Sequence, residues 1–107
     1  MAIRLTKPWV PIAEALTALH GHLGVFQLSN AEHDVIYMGF AGGKSQFGLK
    51  GEVTAVAERI PGATHVRVEI TTAYQTRFRE LMMVHVADFG EPPALNPPIK
   101  LGKMSPA

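Results

Sequence analysis

Gly24-Val25-Phe26-Gln27-Leu28, the polar bend Ser29-Asn30-Ala31-Glu32-His33-Asp34, and Val35-Ile36-Tyr37-Met38-Gly39-Phe40 decide how this chain folds. Two short segments rich in apolar, aromatic and β-branched residues, joined by turn-forming ones, read as an antiparallel hairpin. Before it, Pro8 and Pro11 bracket the start of a short helix with the stripe Ile12, Leu16 and Leu19, and Gly21 is placed to end it. After it, Gly42, Gly43 and Gly48 mark a loop. Leu49, Val53, Val56 and Ile60 then recur at spacings of three and four, which predicts a helix over 49–60 that Pro61-Gly62 stops. From His65 to Ile70 the chain alternates, Val66, Val68 and Ile70 against His65, Arg67 and Glu69, the pattern of a half-buried strand.

Thr71 or Thr72 can cap a third helix over 73–89, with the stripe Tyr74, Phe78, Leu81, His85 and Phe89. Met83 and Val84 lie off that stripe, so this helix is expected to be covered on more than one side. The order helix, hairpin, helix, strand, helix predicts an α+β domain: a small three-stranded antiparallel sheet flanked by helices. Residues 1–107 read as a single domain, made of a helical extension (1–23), a core (24–96) and a proline-rich tail (97–107).

The 107 residues suffice for one modest core, and 47% hydrophobic with 18% charged residues is a globular balance. No apolar run reaches the roughly 18–20 residues that span a bilayer. Met1-Ala2-Ile3-Arg4 has no apolar signal-like run, and the chain has no cysteine for disulfides or thiolate metal sites, so the cytoplasm is the expected location. A net charge of +1 does not by itself mark a nucleic-acid binder; any such binding must come from local clustering.

The order of these elements and the residues within them resemble the GIY-YIG nuclease family over about Gly24 to Asn96. Phe26 and Tyr37 stand 11 residues apart, as the two motif tyrosines of that family typically do, and Tyr37 and Gly39 fit its second motif. The resemblance implies that Tyr37 handles a proton and that Glu80, which precedes the apolar run Leu81-Met82-Met83-Val84, holds a single Mg²⁺. Asn96, after a proline-containing loop, would tie the site together. It also implies that Tyr37 and Glu80 face each other across one hollow. Two positions depart from the pattern. Phe26 lacks the hydroxyl of the first motif tyrosine. Glu52 stands where the family has a phosphate-neutralising arginine, for which Lys50 and Lys44 are the nearest substitutes.

Each of these residues has a plainer structural reading. Tyr37 and Phe26 can be packed aromatics, and Glu80 can pair with Arg77 on the same helix. Arg67, Arg77 and Arg79, with Lys44 and Lys50, are the candidates for an electropositive nucleic-acid face; each can equally be a solvated charge. His20 and His22 have no third metal ligand at a telling spacing, and His85 falls on an apolar stripe as a core histidine. Trp9 either plugs an apolar seam or offers a contact to a partner. The expected function is a catalytically degenerate GIY-YIG-like domain binding DNA, RNA or a protein partner. One alternative is an active Mg²⁺-dependent nuclease using Tyr37, Lys50, Glu80 and Asn96. A second is a small protein taking an anionic ligand at the helix start near Lys44 and Lys50. Met82, Met83 and the tail also leave room for a homo-oligomer.

Overall fold

In the computed structural model, which describes residues 5–43 and 45–96, the hairpin is the middle and one edge of an antiparallel sheet. The elements in chain order are β1 (Val10–Pro11), α1 (Ile12–Ala18), β2 (Gly24–Ser29), β3 (Val35–Ala41), α2 (Gly48–Arg59), β4 (His65–Ile70) and α3 (Tyr74–Phe89). The sheet has four strands in the order β1-β4-β2-β3, not three. The added strand is two residues long, with Val10 opposite Val66 and Pro11 opposite His65. In that register Pro8 would come opposite Val68, and a proline has no N–H to continue the ladder.

β2 is buried along its whole length because both faces of the sheet are covered. On one face Phe26, Leu28 and Val66 pack with Leu49, Val53 and Val56 of α2 and with Leu19. On the other, Val25 and Met38 pack with Leu81 and Met82 of α3 and with Leu5. Fully burying side chains such as Phe26 and Leu28 contributes about 1.5–3 kcal/mol each. The β2–β3 register slips between Leu28 and Ser29, leaving Ile36 as an extra residue. This bulge lets both Ile36 and Tyr37 pack against the α2-side core.

Three expectations are corrected in detail. Gly21 does not end α1, which stops at Ala18; the chain through His20 and His22 instead crosses the start of α2. A Cβ on Gly48, which sits at φ +61°, would collide with the Gly21 backbone, so two glycines let these chains touch. Neither Thr71 nor Thr72 is the N-cap of α3. That position is Ala73, whose N–H donates to Thr71 Oγ1 at 3.0 Å. Finally, α3 is covered on one side only: Met83 is exposed, and Phe89 at its last turn is 68% exposed. No helix among the described residues is long and apolar enough to cross a membrane.

Candidate functional site

The two motif strings meet across the hairpin. Phe26 lies opposite Gly39 and Leu28 opposite Tyr37, so the Phe26 and Tyr37 rings share the α2 face, stacked with centroids 6.2 Å apart. A Cβ on Gly39 would stand 2.6 Å from Phe26 Cζ and 3.2 Å from Tyr37 Cε2. The second-motif glycine thus makes room for both rings.

Lys50 is exposed on the first turn of α2, on the Tyr37 side of the sheet. Glu52 anchors the glycine loop: its Oε2 accepts from Ser45 Oγ at 2.9 Å, and that oxygen accepts from the Gly42 N–H at 3.0 Å. Among the described residues, the first backbone N–H groups of α2 already have partners. Leu49 N–H donates to the His22 carbonyl at 2.8 Å and Lys50 N–H to the His20 carbonyl at 3.2 Å. Gly48 and Gly51 N–H groups donate to Ser45 and Phe47 carbonyls. That crossing segment takes up backbone N–H groups that a helix start otherwise leaves unpaired. Lys44 lies outside the described residues.

Glu80 is on the other side of the sheet. It pairs with Arg77 one turn earlier on α3, and Arg77 Nε also reaches Glu69 of β4 at 3.0 Å. Burial draws the Arg77 pKa down, but hydrogen bonds to Glu69 and Glu80 and their charge outweigh it and hold it above the ordinary arginine value. The strand register puts Glu69 on the face opposite Tyr37. The hollow expected to unite Tyr37 with Glu80 is therefore not formed: the sheet lies between them. Arg79 is exposed on α3. Among the described residues no three His, Asp or Glu side chains are grouped to hold a metal ion.

Asn96 clasps the free edge of β3. Met38 N–H donates to its Oδ1 at 2.8 Å, and its Nδ2 donates to the Met38 carbonyl at 2.9 Å. Leu95 N–H adds a bond to the Ile36 carbonyl at 3.0 Å. The segment after α3 thereby covers an edge that would otherwise expose unpaired backbone groups.

Arg67 is the candidate that gains most from the fold. α3 packs chiefly over β3 and β2, and Arg67 of β4 stands on the same face of the sheet. There the Arg67 guanidinium lies 4.2 Å above the Trp9 ring. Its Nε donates to Gln27 Oε1 at 2.7 Å and its Nη1 to the Lys7 carbonyl at 3.5 Å. Gln27 is only 4% exposed, so it fixes the guanidinium from below. No carboxylate partners Arg67 among the described residues, and burial lowers its pKa. Trp9 continues the stack toward His33 (6.1 Å), which meets His65 edge-on at 4.8 Å. Arg67, Trp9, Gln27 and His33 border a cleft of about 740 Å³ whose floor includes Val35, Met38 and Leu81 and whose rim carries Asp34, Asp88 and Glu91. The alternation of β4 gives Arg67 its side of the sheet; Gln27 and Trp9 as its partners carry no such sequence signal.

Against this geometry, no protein-family model, no curated protein and no solved structure matches the chain.

Proposed function

We propose that this chain is a GIY-YIG-like domain that binds nucleic acid without cutting it, in the cytoplasm. Arg67 carries the reading. This partly buried cation is held by Trp9 and Gln27, pairs with no carboxylate among the described residues, and lines a cleft, so it can take an anion there. Phosphate next to stackable rings is the chemistry that nucleic acid brings. The loss of turnover is supported by Phe26, by Glu52 in its loop-anchoring role, and by the sheet between Tyr37 and Glu80. Hydrolysis needs such groups gathered at one phosphoryl centre, and their separation supports binding without turnover.

The test is a pair of assays on the purified chain. Labelled DNA and RNA oligonucleotides should bind at low ionic strength, weaken as salt rises, and weaken further with Arg67→Ala. The same oligonucleotides should stay intact with Mg²⁺ or Mn²⁺. Cleavage abolished by Glu80→Ala would restore the nuclease alternative, with Tyr37, Lys50, Glu80 and Asn96 as its residues and Glu80 freed from Arg77. Absence of binding to every oligonucleotide would overturn nucleic-acid recognition and leave a protein partner.

A further inference from the structure

Resting on that reading, we infer that the Arg67 cleft takes one unpaired nucleotide of a single strand, its base against the guanidinium–indole stack and its phosphate at Arg67. One face of the guanidinium is covered by Trp9, and Arg67 lines the cleft. Gln27 and the Lys7 carbonyl occupy Nε and Nη1, leaving Nη2 for an incoming acceptor. Arginine planes and aromatic rings are the surfaces on which splayed single-stranded bases stack. The cleft volume of about 740 Å³ accommodates a nucleotide-sized guest.

The charges around the cleft exclude a duplex. Among the described residues, Arg67 is the one arginine or lysine lining it, while Asp34 and Glu91 stand on its rim. A second phosphate chain would run against those carboxylates, and a paired base has no free face for the stack. A single strand can place one phosphate at Arg67 and lead the rest away over Lys7. The salt dependence should accordingly be shallow, a slope of log K on log salt of about −0.7 to −1.4, one or two phosphates.

The deciding experiment measures, by fluorescence anisotropy on the full chain, affinity for a single-stranded oligonucleotide, its duplex, and the same strand with abasic positions. The single strand should bind roughly 5- to 150-fold more tightly than either of the others. Trp9→Ala should reduce it to the abasic level, Trp9→Phe should retain most of it, and Arg67→Lys should keep charge but lose the preference for a strand with bases. Equal binding of all three ligands, or wild-type affinity in Trp9→Ala, would overturn this inference while leaving nucleic-acid binding in place. If none of the three binds, the underlying reading fails with it. Wild-type thermal denaturation of Trp9→Phe and Arg67→Lys guards against misreading a folding defect.

Discussion

Replacing Asn96 by alanine removes two hydrogen bonds at once, Met38 N–H to Oδ1 and Nδ2–H to the Met38 carbonyl. Each such bond contributes about 1 kcal/mol net, so Asn96→Ala should cost about 2 kcal/mol. An edge strand that loses its clasp can be rewetted, which keeps the cost from growing into that of a buried orphan pair. An unfolding entropy of about 2.1 cal/mol/K per residue over this 107-residue chain converts the loss into a fall in Tm of about 9 °C. Asn96→Asp is the sharper variant. It keeps the acceptor for Met38 N–H, loses the donor, and sets a carboxylate against a carbonyl, which disfavours the charged form and raises its folded-state pKa. Its stability is then greatest below the unfolded value of about 3.9 and is lost as pH rises through the folded value. Thermal denaturation followed by circular dichroism should show a deficit at pH 7 that narrows in acid. A Tm for Asn96→Ala within about 2 °C of the parent would refute the claim that this clasp holds the edge.

Gly48→Ala should destabilise by more than about 3 kcal/mol, because it combines a left-handed backbone with a collision against Gly21; Gly62→Ala, also left-handed but in open space, should lose only about 1 kcal/mol in urea titrations. Equal losses would dismiss the Gly21 contact. Glu80→Ala should lower stability by no more than about 1 kcal/mol, since its side chain is part-exposed and Arg77 keeps Glu69, and should leave oligonucleotide affinity unchanged. A large loss of affinity would place Glu80 in the binding site. His85, 9% exposed and with its ring tilted against Phe89, has its pKa lowered by burial, partly opposed by Asp88 and Glu91. Its neutral form is the folded one, so stability is complete above the unfolded value of about 6.5 and declines as pH falls through it toward the folded value. His85→Leu should flatten that decline in the urea midpoint; an unchanged profile would assign it to other groups.

The hairpin was legible because its turn residues and apolar runs are local signals, and α2, β4 and α3 lie where their periodicities put them. β1 was not legible: two residues, one of them proline, carry no period, and their strand character comes only from pairing with β4. Gly21 reads locally as a helix stop, whereas its use is a close approach to Gly48, a contact between distant parts of the chain. The separation of Tyr37 from Glu80 was likewise hidden. Sequence places Tyr37 on β3 and Glu80 on α3, but the face that α3 covers is set by packing of Leu81 and Met82 on Val25 and Met38. Gln27 looked like an interruption in an apolar strand; its meaning lies in Arg67 on the neighbouring strand. Arg67 was legible as a cation; that no carboxylate among the described residues pairs with it was not.

The central claim is that ligand binds on the Arg67 side of the sheet and not at the Tyr37 side. A ¹⁵N-resolved NMR titration with a single-stranded oligonucleotide in Mg²⁺ addresses it most directly. The account predicts shifts at the Trp9 indole, Gln27, His33 and Arg67, with the oligonucleotide recovered whole. Shifts gathered instead at Tyr37, Lys50 and Glu52, or a shortened oligonucleotide, would contradict it.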